Sequence, residues 1–115
     1  QVVIASLLPS SAVAIAISHS GASREPVECL TLAKRRRATT IAVTSRHPSP
    51  LTAHADIVLL TMSTETRYRE EALASRIAQL SLIDSLYVAI AIRRPEASLE
   101  SLKTTSEALR THRVR

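Results

Sequence analysis

Ser18-His19-Ser20-Gly21-Ala22-Ser23 brings three hydroxyls, an imidazole and the only glycine of a 115-residue chain into six positions. Hydroxyls donate to anionic oxygens without adding fixed charge, and a glycine lets backbone approach a ligand closely. The apolar run AVAIAI (12–17) leads directly into this segment, and a helical pattern starts near Arg24. Backbone N–H groups at a helix start, beyond the carboxyl end of a strand, form an anion site. Pro26, in the first helical turn, costs no intrahelical hydrogen bond there. A plainer reading stands beside this one, in which Ser20 or Ser23 simply caps the helix.

Other phosphate and nucleophile motifs are missing. The chain has no GxxxxGK[ST] and no GxGxxG, which removes the P-loop and the dinucleotide fingerprint. A nucleophile elbow around Ser20 would need glycine where Ser18 and Ala22 stand. His47 and His54 are seven apart with no Cys or second carboxylate at ligand spacing, so they read as loop and cap residues. Neither metal nor cofactor is expected. Cys29 reads as a small packing residue. Glu70 and Glu71 open a long helix, where the dipole alone favours acidic side chains. Asp84 lies among Leu80, Ile83, Tyr87 and Val88, and an unpaired charge in such surroundings would require a partner.

The elements that must position these residues follow from the apolar pattern. Residues 12–17, 39–44 (TTIAVT) and 56–61 (DIVLLT) are short, β-branched and continuously apolar, as strands covered on both faces are. Helical spans are expected at about 24–37, 50–55, 67–93 and 96–112. Strands alternating with helices predict a parallel sheet with right-handed crossovers, an α/β fold. Pro95 separates the last two helices and should end the long one at Arg94. Leu73, Ile77, Leu80, Ile83, Tyr87 and Ile90 give the long helix a wide apolar face, and Leu82, Leu86 and Ala89 a second stripe. Such a helix should be covered on two sides, within the domain or against a second subunit.

Composition sets the outer bounds. Charged residues are 22% and hydrophobic ones 45%, a globular balance sufficient for one domain with an aliphatic core. Aromatics are only 2%, which argues against single-strand nucleic-acid platforms. The net charge of +5 comes from 15 basic and 10 acidic side chains. Residues 24–37 hold Arg24 and the run Lys34–Arg37 against Glu25 and Glu28. Cations in a last helical turn complement the macrodipole, and no base-reading pattern accompanies them. One cysteine fits a reducing cytoplasm. The apolar run 77–92 is 16 residues with Gln79 and Asp84 inside it, too short and too polar for a membrane span. No secretory leader is apparent. The start at Gln1, inside an apolar run and without Met, predicts a piece of a longer protein.

AIAISHSGAS, then TTIAVTSRHPSPLTAHADIVLLT, then EEALASRIAQLSLIDSLYVAIAIRR resembles the sugar isomerase (SIS) domain. Within that family the chain is most similar to the C-terminal sensor domain of RpiR-type bacterial transcriptional regulators. The resemblance covers residues 1–113. It implies a three-layer αβα fold with a parallel sheet in flavodoxin-like order, of which this chain carries the last three strands. Residues 1–115 would then be a partial SIS domain, with earlier strands, a first phosphate loop and a helix-turn-helix domain lying before it. The strand at 12–17, interior in the family order, would be left as an edge.

The resemblance also implies the ligand and its site. Ser18, Ser20 and Ser23 match the family's phosphate-binding loop around Gly21, and His19 stands where relatives carry a polar residue. Thr44 and Ser45, ending the next strand, would face the same crevice. Glu71 matches the neighbourhood of a glutamate that serves isomerases of the family as a base. Arg76, one and a half turns further along the helix, reads either as a contact to the sugar or phosphate or as half of a structural ion pair with a nearby carboxylate. The first reading is therefore a phosphosugar-sensing domain acting on DNA only through a missing N-terminal domain. A phosphosugar isomerase fragment and a ligand-free dimerisation module are the alternatives. Self-association as a homodimer or tetramer is expected, with no membrane partner.

Overall fold

A computed structural model describes residues 1–62 and 73–111 of the chain. They fall into two compact units, Gln1–Leu80 and the part from Ser81 onward. The first holds α1 (Val2–Ser6), β1 (Val13–Ile17), α2 (Arg24–Arg35), β2 (Thr39–Thr44), a 3-10 turn (Thr52–His54), β3 (Ile57–Leu60) and the start of α3 (Leu73–Arg93). The second holds the rest of α3 and α4 (Pro95–Thr111).

The three strands pair in parallel in the order β1-β2-β3, with Ile15 beside Ile41 and Ile41 beside Ile57. This is the α/β arrangement that the strand–helix alternation predicts. Ala14 and Ala16, on one face of β1, pack with Val27 against a core of Leu30, Ala42 and Leu51. Small residues on the strands let α2 approach the sheet, and Leu30 is sealed there with only 1% of its surface exposed. Burying a leucine of this kind contributes about 1.5–3 kcal/mol.

Coverage on both faces holds for β2 but not for β3, where Ile57 and Leu60 remain 46% and 52% exposed, nor for β1. Val13, Ile15 and Ile17 remain 57%, 44% and 43% exposed, alternating with half-buried Ala14 and Ala16. A continuous apolar run cannot report this difference, because it records what a strand can bury and not what lies against it.

The helix α2 stops at Arg35, two residues before its expected end. Arg37 adopts a positive φ of 63°. The Ala38 N–H then donates to the Ala33 carbonyl and the Arg37 N–H to the Lys34 carbonyl, at 3.1 and 2.9 Å. This is the double bond of a Schellman cap, with arginine where glycine usually stands. The basic run is partly tied down: Lys34 pairs with Asp56, and the Arg36 Nε–H reaches the Leu8 carbonyl at 3.4 Å.

Asp56, which sequence reasoning passed over, fastens β3 to β2. Its Oδ2 accepts from the Thr40 N–H at 2.9 Å and the Thr40 hydroxyl at 2.8 Å. Its own N–H donates to the Thr40 carbonyl at 2.9 Å. The Lys34 ammonium first, and then the Thr40 N–H and hydroxyl, hold the Asp56 carboxyl down at about 2. No spacing rule marks such an aspartate, because its partners lie 16 and 22 residues away.

Two expectations about α3 need correction. Asp84 is exposed, so water solvates it and no buried partner is required. The helix is also longer than the run 77–92. Its stretch Ala74–Arg93 has 20 residues of mean hydropathy 1.3, enough by length and composition alone to cross a membrane. Ile77, Leu80, Tyr87 and Ile90 are 54–66% exposed, so the wide apolar face is uncovered. Pro95 does break the chain as expected, since α3 ends at Arg93 and α4 begins at Pro95.

Candidate functional site

The loop 18–23 leaves the carboxyl end of β1 and enters α2. Its first residue is held as a continuation of the sheet, with the Ser18 N–H donating to the Val43 carbonyl at 3.0 Å. Ser18 is 7% exposed. Its hydroxyl lies 3.0 Å from the Ser23 hydroxyl, either able to donate.

Ser23 occupies the N-cap position of α2, with φ −63° and ψ 128°, yet its side chain makes no capping hydrogen bond. Ser20 instead accepts from the Ala22 N–H at 3.2 Å, inside the loop. Neither serine is therefore spent on the first helical turn, whose leading N–H groups have no intrahelical partner.

His19 anchors the loop through its backbone. Its carbonyl accepts from the Ser45 hydroxyl at 2.7 Å, and from the Thr44 hydroxyl and the Ser45 N–H at 3.1 Å each. Its Nδ1 is buried without a hydrogen-bond partner. Thr44 and Ser45 thus lie at the strand end beside the loop, with their hydroxyl protons engaged in holding it.

Gly21 has a positive φ of 65°, and a Cβ there would lie 2.7 Å from the Ser49 Cβ and 3.0 Å from the Thr44 Oγ1. The close approach that requires glycine is made by the protein's own chain. The Gly21 carbonyl also accepts from the Leu51 N–H at 2.9 Å. The segment 49–52 is itself a closed turn, in which the Ser49 N–H donates to the Thr52 hydroxyl and that hydroxyl to the Ser49 carbonyl, both at 2.9 Å. Ser49 and Leu51 are structural members of the site that no local motif could reveal, since the contact is made across 28 and 30 residues.

The geometry brings together Ser18, His19, Ser20, Gly21, Ser23, Thr44 and Ser45. Arg76 is exposed on α3, and no described hydrogen bond or ion pair joins it to the loop. Glu71 and its neighbour Glu70 lie outside the described residues.

A parallel sheet whose first strand runs through a hydroxyl-rich loop into a helix defines the class, an α/β domain. The family model for the SIS domain matches residues 4–89, and the chain belongs to that family. Over 102 residues it is 43% identical to an uncharacterized HTH-type transcriptional regulator of Caldanaerobacter subterraneus subsp. tengcongensis, covering 89% of this chain and 36% of that protein. A similar regulator of Haemophilus influenzae is 32% identical over 111 residues, covering 96% of this chain and 38% of that protein. The chain therefore spans little more than a third of the length of these curated relatives.

Two solved structures share the fold. The Vibrio vulnificus NanR protein complexed with ManNAc-6P matches with a TM-score of 0.88 at 24% identity, over 99% of this chain and 43% of that one. The sugar isomerase domain of an RpiR transcription factor from Sphaerobacter thermophilus matches at 0.77 and 24% identity, over 91% and 56%. The family match runs through α3 as far as residue 89, which makes this helix part of a domain despite its membrane-like length.

Proposed function

We propose that this chain is the effector-binding part of a transcriptional regulator and takes a phosphorylated sugar at the 18–23 loop. The observation that carries the reading is the Ser18–Ser23 hydroxyl pair, set 3.0 Å apart at a helix start and uninvolved in capping it. Each hydroxyl can rotate its proton toward a phosphate oxygen. The leading N–H groups of α2 add donors and the positive end of its dipole. Names of the relatives support the regulatory role, and the ManNAc-6P bound to NanR supports the ligand class. On the family resemblance, Glu71 would line the ligand pocket and Arg76 would contact the sugar or the phosphate. Control of DNA would pass through a part of the regulator outside this chain, in the cytoplasm and without a membrane partner.

Calorimetric titration with ManNAc-6P, other hexose phosphates and inorganic phosphate tests this. A hydrogen bond to a charged group contributes about 1.5–3 kcal/mol, so Ser18→Ala or Ser23→Ala should weaken sugar-phosphate binding roughly tenfold or more with the circular dichroism spectrum unchanged. Unchanged affinity in both variants and in their combination would move the site elsewhere. Sugar NMR on the same mixtures should show no aldose–ketose interconversion. Turnover there would favour the isomerase reading.

A further inference from the structure

Apart from His19, the loop 18–23 is built of uncharged side chains. A phosphate monoester carries about −1.5 to −2 charges at neutral pH, and the dipole of α2 offsets only about half a charge. Glu25, in the first turn of α2, adds a negative charge near the helix start. Arg24 does not answer it, because Glu28 stands four residues on, at the helical spacing where opposite charges meet. Thr44 and Ser45 contribute no free donor, since both hydroxyl protons go to the His19 carbonyl.

The next residue, Arg46, lies in a segment tied to the loop on both sides. Before it, the Ser45 N–H and hydroxyl donate to the His19 carbonyl at 3.1 and 2.7 Å. After it, Ser49 lies against Gly21, and the Leu51 N–H donates to the Gly21 carbonyl at 2.9 Å. The Arg46 N–H itself donates to the Thr44 hydroxyl at 3.2 Å. Residues 46–48 therefore run between two attachments to the same loop. Arg46 is exposed, and among the described residues its guanidinium makes no ion pair or hydrogen bond. Asp56, the only acidic residue in 39–62, precedes β3 at the opposite end of the sheet and is paired with Lys34. An extended arginine spans more than the roughly 4.8 Å between neighbouring strands, so from the end of β2 its guanidinium can reach an anion held at the end of β1.

We propose that Arg46 is the charge-pairing residue of this site and makes it select doubly charged sugar esters over singly charged ones. The proposal rests on the reading of the 18–23 loop as a phosphate site. The planar fork of a guanidinium meets two phosphate oxygens at once, while Ser18, Ser23 and the leading N–H groups of α2 serve the others. A sulfate monoester has nearly the same shape and carries one charge. Hydroxyls and N–H groups can donate to either ester, whereas a full cation gains in proportion to the charge on the ligand.

Calorimetric titration at about pH 8, where a phosphate ester holds both charges, compares ManNAc-6P and glucose 6-phosphate with their 6-sulfates. The native chain should bind the phosphates roughly tenfold or more tighter than the sulfates. Arg46→Gln should weaken phosphate binding roughly tenfold and sulfate binding less, bringing the two esters to within about threefold of each other. Arg46→Lys, which keeps the charge, should retain a preference for phosphate. Ser18→Ala should weaken both esters alike and leave their ratio standing. Arg35→Gln, the same change of charge at the far end of α2, should alter neither. A ratio that Arg46→Gln leaves unchanged, in a chain whose phosphate binding Ser18→Ala still weakens, overturns the role of Arg46 and spares the loop. A ratio lost in Arg24→Gln and kept in Arg46→Gln overturns it as well. A native chain that binds neither phosphate removes the site at the loop, and this proposal with it.

Discussion

Gly21 meets two demands together, a positive φ and contact with Ser49 and Thr44. The left-handed conformation costs an L residue about 1–2 kcal/mol, and a Cβ would in addition press on half-buried Ser49 and buried Thr44. Gly21→Ala should therefore lower unfolding stability by at least about 2 kcal/mol in urea titration, and any loss of ligand affinity in it would follow from a displaced loop. Retained stability would mean that the segment 49–52 does not clamp the loop. Serine substitutions are for this reason the cleaner probe of binding. Asp56 makes a second prediction at this scale. Its carboxyl sits near 2 in the folded chain, below its unfolded value of about 3.9, so its stabilisation is full above about pH 4 and disappears as pH falls through about 2. The native urea midpoint should drop over that window more than the midpoint of Asp56→Asn. Parallel acid profiles for the two would remove Asp56 as the fastening of β3.

At the scale of elements, the end of α2 is a place where the chain accepts strain. Arg37 holds the left-handed position of a Schellman cap that glycine would fill without a Cβ penalty. Arg37→Gly should raise the unfolding free energy by about 0.5–1 kcal/mol, read from the denaturation midpoint. A fall in stability would show that the guanidinium makes a stabilising contact. Elements were legible from the sequence wherever one local signal dominated. The apolar β-branched runs gave β1, β2 and β3 to within a residue, and Pro95 gave the break between α3 and α4. The end of α2 was not legible, because nothing in KRRR marks which residue turns left-handed.

For the whole molecule, the two units differ in what holds them. The first buries Leu30, Ala42 and Leu51 in a core of its own, whereas the described residues after Ser81 bury none. Self-association, expected from the family resemblance, would link folding to association by mass action. The melting temperature of the chain should then rise with its concentration, and a value independent of concentration would show a monomer.

The sequence by itself determined the fold class, the three parallel strands and the place of the serine-rich loop between β1 and α2. Each of these rests on signals between near neighbours: apolar runs, a proline, and one glycine among serines. Tertiary structure decided what those residues do. It engaged the Thr44 and Ser45 hydroxyls in holding His19, left those of Ser18 and Ser23 facing one another, and set Ser49 against Gly21. It also gave Asp56 its lysine and left Asp84 to water. These outcomes depend on which distant segments meet, and a carboxylate or hydroxyl carries no local mark of the partner that folding will bring to it.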